Sequence, residues 1–98
     1  MNQDVIIKSS VIVSPDLWRT SLMPEGILEN WIAADGSNVD AGDAVAKIRV
    51  EDAVHDLIAP ATGRLQVSAS INSVVEPGAV IGEITRHASE QNFFEDEE

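Results

Sequence analysis

The triplet Glu51-Asp52-Ala53 lies in the run IRVEDAVHDLIAP, from Ile48 to Pro60. This run combines several carboxylates with a histidine, so we consider it first as a candidate site. Apolar and β-branched residues on both sides of the triplet predict two strands joined by a tight turn. Asp is a favoured turn residue because its side chain hydrogen-bonds nearby backbone N–H groups. The turn offers carboxylates and no amine, so it could attract a basic group but could not form an amide with a carboxylic-acid cofactor.

A metal site at this turn is the less favoured alternative. Glu51, Asp52 and Asp56 would together form an acidic knob that could dock a basic partner or hold a hard cation. Calcium sites, however, combine carboxylates with backbone carbonyl ligands and a glycine-bearing loop. The segment has neither, so we predict no metal ligands and no bound metal.

Catalytic residues are not predicted anywhere in the chain. His55 and His87 are the only histidines. His55 occupies an apolar position of the strand after the turn and is expected to be partly buried, whereas His87 is expected to be solvated after the last strand. Cysteine is absent, no serine lies in a nucleophile elbow, and no glycine-rich phosphate loop is present. The chain by itself is therefore not expected to be an enzyme.

A second candidate surface is the loop from Ser14 to Met23, SPDLWRTSLM. We predict partner docking by Trp18, Arg19, Leu22 and Met23, because Trp and Arg are enriched at binding hot spots. The alternative is that Trp18 and Leu22 cover an open edge of the fold. Phe93 and Phe94, near the C-terminus, leave a similar choice between folding back on an apolar patch and forming a short docking motif.

The elements that would position these residues are strands. Short apolar runs are separated by Gly, Asn, Asp and Pro, and helical periodicity is absent, which predicts an all-β domain over residues 1–87. Residues 88–98 are polar and acidic and are predicted to be a disordered tail. Extended pieces are expected near Val39 and Val75. The longer strands are predicted at Val5–Val13, Gly26–Ile32, Ala44–Val50, Val54–Ile58, Gly63–Ser70 and Val80–Arg86.

Charge and composition restrict the partners. The net charge of −11 opposes binding to nucleic-acid phosphates and favours basic protein partners. No apolar stretch is long enough to cross a membrane, and the first residues do not resemble a secretory signal. We therefore expect a cytoplasmic monomer with a protein partner, and neither a nucleic-acid nor a membrane partner.

The chain contains an internal repeat with a spacing of 36 residues. The series Gly36, Val39, Gly42, Val45, Ile48 recurs as Asn72, Val75, Gly78, Ile81, Ile84. Gly26-x-Leu28 recurs 37 residues later as Gly63-x-Leu65, which implies one deleted residue in the second copy. Two similar sheets, each too small to bury its own face, are expected to pack on each other.

These motifs resemble those of the lipoyl/biotinyl carrier domain, and most of all the lipoyl domain of the acyltransferase (E2) components of 2-oxo acid dehydrogenase complexes. The resemblance extends from about Val11 to Ile84 and implies a flattened β-barrel or sandwich of two four-stranded antiparallel sheets with quasi-two-fold symmetry. It rests on four motifs in order: Pro24-Glu25-Gly26-x-Leu28-x-x-Trp31, Asp35-Gly36-x-x-Val39-x-x-Gly42-Asp43-x-Val45-x-x-Ile48, Ala59-Pro60-x-x-Gly63-x-Leu65 and Pro77-Gly78-x-x-Ile81-x-x-Ile84.

The resemblance also identifies what is missing. The family carries Asp-Lys-Ala at the tip of the central hairpin and attaches lipoate to the lysine; here Asp52 stands in the lysine position and Ala53 in that of the alanine. A carboxylate cannot accept lipoate or biotin, so no covalent cofactor is expected. The resemblance implies a non-lipoylated interaction module whose partners are subunits of a 2-oxo acid dehydrogenase complex. The alternative is a carrier component of a multienzyme acyltransferase or dehydrogenase system that works without its own covalent lipoate or biotin.

Overall fold

The structure, a computed structural model, describes residues 4–89 and is built from eight strands and one short 3₁₀ helix over Pro15–Trp18. The 3₁₀ helix, in a segment predicted as loop, is the one element that the sequence did not indicate. The strands are β1 (Asp4–Ile12), β2 (Gly26–Trp31), β3 (Asn38–Val39), β4 (Ala44–Val50), β5 (Ala53–Ile58), β6 (Gly63–Val67), β7 (Val74–Val75) and β8 (Val80–Ser89).

The strands form two four-stranded sheets in which every pair is antiparallel, with the orders β1-β8-β6-β3 and β5-β4-β2-β7. The predicted all-β class and the two-sheet architecture are confirmed. The sheets form a flattened sandwich and do not close into a barrel. None of the helical structure within residues 4–89 is long and apolar enough to cross a membrane.

The core lies between the two sheets and is built from the alternating apolar residues of the strands. Each sheet contributes residues that are completely or almost completely buried, because side chains at every second strand position point to the same face. The largest fully buried side chains are Leu28, Ile48, Leu65, Ile81, Ile84, Val11, Val13 and Val45.

The internal repeat appears in the backbone as a pair of matching corners. Gly36 and Asn72 have φ values of 87° and 75°, and Gly42 and Gly78 have φ values of 96° and 87°. All four residues adopt the left-handed conformation that Gly and Asn tolerate best. The predicted quasi-two-fold relation is therefore visible at both corners of each half.

The extra residue of the first half is a β-bulge in β2. Between β2 and β4 the register shifts after Leu28, which pairs with Ile48, so that Asn30 pairs with Lys47 and Glu29 is the inserted residue. In the second half Leu65 pairs with Ile84 and the register runs on without a shift. The bulge accounts for the change in spacing from 37 to 36 residues.

The last strand is longer than predicted. It runs to Ser89, beyond the expected domain boundary at residue 87, because β1 begins at Asp4 and pairs with it along its whole length. His87 consequently lies within β8, where it is exposed, and not after the last strand. The rest of the predicted tail, including Phe93 and Phe94, lies outside the described residues.

Candidate docking site at the hairpin tip

The central hairpin is formed by β4 and β5, and its last paired residues are Val50 and Ala53. Glu51 and Asp52 therefore form a two-residue connection, and both are exposed. Glu51 has a φ of 55°, a left-handed conformation that only one other non-glycine residue of the described chain, Asn72, adopts. The tip thus presents two carboxylates on a tight turn that holds Glu51 in a disfavoured conformation.

No lysine lies at this tip. Lys47 lies within β4, and its Nζ donates a 2.9 Å hydrogen bond to Oδ1 of Asp56 on the facing strand. Lys8 lies in β1, in the other sheet. The ion pair also engages the third carboxylate of the predicted acidic knob, so Glu51 and Asp52 form the tip without Asp56. Among residues 4–89, no three Asp, Glu or His side chains are grouped closely enough to hold a metal ion.

The loop between β1 and β2 is organised by the 3₁₀ helix. Ser14 caps the helix, its Oγ accepting a 3.2 Å hydrogen bond from the backbone N–H of Asp16, and Pro15 follows where a missing N–H is tolerated. Trp18 ends the helix, is only 8 % exposed and packs on the core next to Gly26 and Val50. Trp18 is thus buried, as the alternative in which it covers an open edge of the fold requires.

The indole nitrogen of Trp18 is buried without compensation. Its Nε1 has no hydrogen-bond partner among the described residues. Leaving a buried donor unpaired costs about 1–3 kcal/mol. The side chain of Trp18 is therefore held by apolar packing alone, while its backbone carbonyl accepts a 3.0 Å hydrogen bond from the N–H of Ser21.

The end of the loop, by contrast, is exposed. Leu22 is 98 % exposed and Met23 is 50 % exposed, so Leu22 does not cover the edge of the sandwich. Arg19 is exposed as well and forms a loose 3.7 Å ion pair with Asp16. Contiguous exposed apolar residues mark interaction sites more often than single ones do, and Leu22 and Met23 are adjacent in the chain.

Two shallow grooves join the loop to the hairpin tip. One, of about 280 Å³, lies between Thr20 and Ser21 on the loop side and Glu51 and Asp52 on the hairpin side. The other, of about 340 Å³, includes Met23, Arg49 and Glu51. Ser21 and Met23, on either side of Leu22, thus both face the tip. The structure therefore places the end of the loop beside the hairpin tip. The candidate docking face is defined here as Arg19, Leu22, Met23, Glu51 and Asp52, of which Arg19 and Leu22 are exposed but line neither groove.

Some residues of the first groove were not predicted to belong to a site. Leu17, Thr20 and Ser21 line it because the 3₁₀ helix turns the loop towards the hairpin, and no residue pattern signalled that turn beyond the Ser14-Pro15 pair. His55 also lines the groove and is half-buried. Its position in the strand and its partial burial were predicted, but its proximity to the loop was not.

Neither a scan against models of protein families nor a search of curated proteins finds a match to this chain.

Proposed function

We propose that this chain is a lipoyl-like domain without an acceptor lysine, which acts as a non-lipoylated protein-interaction module. The observation that carries the proposal is an exposed, two-residue hairpin tip that carries Glu51 and Asp52 and no amine. In the family that the chain resembles, an enzyme attaches lipoate to a lysine at the hairpin tip, whereas the carboxylates of this tip cannot form the amide. The remaining role for an exposed tip is recognition.

The chemistry of the docking face supports a particular class of partner. Leu22 and Met23 provide exposed apolar surface that could fill a pocket, and the neighbouring carboxylates of Glu51 and Asp52 favour basic residues at its rim. Apolar anchors give affinity when they become fully desolvated, while rim charges mainly steer association and select partners. We propose that the partner is a subunit of a 2-oxo acid dehydrogenase complex with an apolar pocket beside a basic patch.

The first experiment restores the missing amine. The chain is incubated with a lipoate ligase, lipoate and ATP, and the intact mass is measured before and after. We expect no change for the natural sequence and the gain of one lipoyl group for Asp52→Lys, because the new lysine would stand at the tip. Asp40→Lys is the matched control, since Asp40 is an exposed acid in a different turn.

Modification of the natural chain at the hairpin would contradict the proposal. So would a failure of the ligase to modify Asp52→Lys while it modifies an ordinary lipoyl domain in the same assay. Equal modification of the Asp40→Lys control would show that the enzyme responds to any exposed lysine and not to this tip.

The second experiment measures docking. Binding of purified subunits of the dehydrogenase complex is followed by biolayer interferometry, with the natural chain and with Leu22→Ser/Met23→Ser. We expect a loss of at least tenfold in affinity, because about 1.4 kcal/mol corresponds to a factor of ten and one buried apolar side chain is worth about that much. Ile32→Ser/Ile58→Ser is the control, because these two exposed apolar residues lie next to Val45 and Ala44, at the end of β4 opposite the hairpin tip. Binding that is absent, or equally reduced in both variants, would contradict the proposal.

A further inference from the structure

The end of the molecule formed by residues 4–8 of β1 and 85–89 of β8 differs from the rest of its sheet. Strand β6 pairs with β8 only as far as Thr85, whereas β1 follows β8 to Ser89. Beyond Thr85 the sheet is therefore reduced to two strands. An isolated two-stranded ribbon is only marginally stable in water, and pairing with a third strand would stabilise it.

This ribbon also exposes apolar residues on both faces. Val5 and Ile7 lie on the face that continues the core, with exposures of 38 % and 37 %, and Ile6 lies on the outer face with an exposure of 55 %. Strand β1 is the edge of its sheet, so its outward backbone groups have no strand beside them in the described chain. A long, apolar, unprotected edge is a template for pairing with another chain.

The sequence of this edge is complementary to itself. Residues 4–8 read Asp-Val-Ile-Ile-Lys. If two copies pair in antiparallel orientation with Ile6 opposite Ile6, each Val5 stands opposite Ile7 of the other copy and each acidic position 4 stands opposite the basic position 8. Opposite charges and β-branched pairs directly across from each other both stabilise antiparallel strands.

Other registers lose this match. Shifting both strands by one residue in one direction places Ile6 opposite Lys8 and Asp4 opposite Ser10. Shifting them in the other direction places Asp4 opposite Ile6. A shift that changes the parity would put the inner face of one copy on the same side as the outer face of the other, so no two-fold axis would relate the two copies. Only the register centred on Ile6 pairs all five positions favourably.

The other sheet edges do not offer an equivalent. Strands β3 and β7 have two residues each, which is too short to template a partner. Strand β5 carries Asp56, which is already engaged by Lys47, and His55, which faces the groove at the hairpin. The occupant that fits the β1 edge is therefore a second copy of this chain.

We infer that two copies of the chain associate through residues 4–8 of β1, in antiparallel register centred on Ile6, to form one continuous sheet across a two-fold axis. Such an isologous interface is the commonest form of symmetric assembly. Along β1, Ile6 lies about 20 Å from Ile12, after which the chain enters the loop at the docking face. The dimer would therefore leave both docking faces free, and it is an alternative to the monomer that we expect from the sequence.

Charge swaps test the interface. The full chain is studied by sedimentation velocity over a range of concentrations. We expect a reversible dimer for the natural sequence, a dissociation constant raised at least about tenfold for Lys8→Asp, and recovery in the double variant Asp4→Lys/Lys8→Asp, because two symmetric pairs become like-charged and are then restored. Arg64→Asp, an equal charge change at an exposed site on the same sheet, is expected to leave the dimer unchanged.

A cysteine reporter tests the register independently. The chain has no cysteine, so a single introduced thiol gives an unambiguous result. Directly opposed strand residues have Cα atoms about 4.5–5.5 Å apart, within the range that a disulfide spans. We expect Ile6→Cys to form a covalent dimer on mild oxidation, and Ile12→Cys, an exposed residue of the same strand, to remain monomeric on a denaturing gel.

Three results would overturn the inference. The first is a natural chain that remains monomeric throughout the concentration range. The second is a dimer that Lys8→Asp does not weaken, which would place the interface elsewhere. The third is equal cross-linking of Ile6→Cys and Ile12→Cys, which would reflect random collision. Circular dichroism of each variant confirms that a loss of dimer is not a loss of fold.

Discussion

The hairpin end and the ribbon end of this molecule are related by its quasi-two-fold symmetry, yet they differ in how their inner faces are covered. The symmetry matches β4 and β5 of one sheet with β8 and β1 of the other. At the hairpin, residues 13–25 connect β1 to β2 and place Trp18 over the inner face. At the ribbon, the equivalent connection is residues 59–62, too short to provide such a cover, and Val5 and Ile7 remain exposed.

This difference indicates how one repeated half can serve two purposes. A longer connection turns one strand pair into a closed hairpin with a defined surface beside its tip. The short connection leaves the matching pair with apolar faces and an open edge. The pseudo-symmetry therefore holds for the core and its corners and breaks at the two surfaces where we propose that binding occurs.

The largest effect is expected from removing the cover of the hairpin. Trp18→Ala should lower the free energy of unfolding by about 3 kcal/mol, because burial of the ring is lost while the unpaired N–H is relieved. Trp18→Phe should lower it by less than about 1 kcal/mol, since it keeps most of the ring and removes the orphaned donor. Urea denaturation measures both values.

Trp31 provides the control for that comparison. Its Nε1 donates a 3.0 Å hydrogen bond to the carbonyl oxygen of Ala69. Trp31→Phe removes a satisfied donor and leaves an acceptor without its partner, so it should cost about 1 kcal/mol or more. If Trp18→Phe lowers the free energy of unfolding as much as Trp31→Phe does, the indole N–H of Trp18 is not an unpaired buried donor.

The next effect compares two equivalent glycines that back onto a neighbouring strand. A Cβ added at Gly63 would lie 2.6 Å from the carbonyl oxygen of Thr85, and one added at Gly26 would lie 2.9 Å from that of Arg49. Overpacking against backbone costs about 1–3 kcal/mol. We expect Gly63→Ala to lie near the upper end of that range and Gly26→Ala to cost less, as measured by thermal and urea unfolding. The reverse order would show that the two halves are packed differently at this pair.

The smallest effect compares the two non-glycine residues in the left-handed conformation. Glu51→Gly should raise the free energy of unfolding by up to about 1 kcal/mol, because Glu at φ of 55° is disfavoured and Gly is not. Asn72→Gly should change it by only a few tenths of a kcal/mol, since Asn already tolerates a positive φ. Chemical denaturation of both variants and of the natural chain measures these two changes in the free energy of unfolding. A larger gain at Asn72 than at Glu51 would contradict this account of the hairpin turn.

Much of the fold could be predicted because the relevant signals are local. Alternating apolar residues predicted the long strands. The recurrence of Gly36 and Gly42 as Asn72 and Gly78 predicted the corners, because few residue types adopt a left-handed backbone conformation easily. The 3₁₀ helix was missed because four residues carry no periodicity. The extension of β8 to Ser89 was missed because it depends on pairing with β1, which lies far away in the sequence.

The candidate site divides in the same way. The turn at Glu51 and Asp52 could be located from the residues on either side of it. The difference in burial between Trp18, which is buried, and Leu22, which is 98 % exposed, could not be predicted. Both are large apolar residues of the same loop. Trp18 ends the 3₁₀ helix and packs beside Gly26 of β2, whereas Leu22 follows the helix and projects into solvent. That packing depends on a residue of another strand, so the loop sequence alone does not indicate it.

The two shortest strands have a consequence for how the chain reaches this structure. Strand β3 of the first half pairs with β6 of the second, and β7 of the second half pairs with β2 of the first. Neither half can complete its sheet until the other has been synthesised and has found it, so contacts distant in sequence must form together. High contact order slows folding, and the chain is therefore expected to fold on a timescale of about milliseconds to seconds as one cooperative unit, with no stable half-molecule on the way.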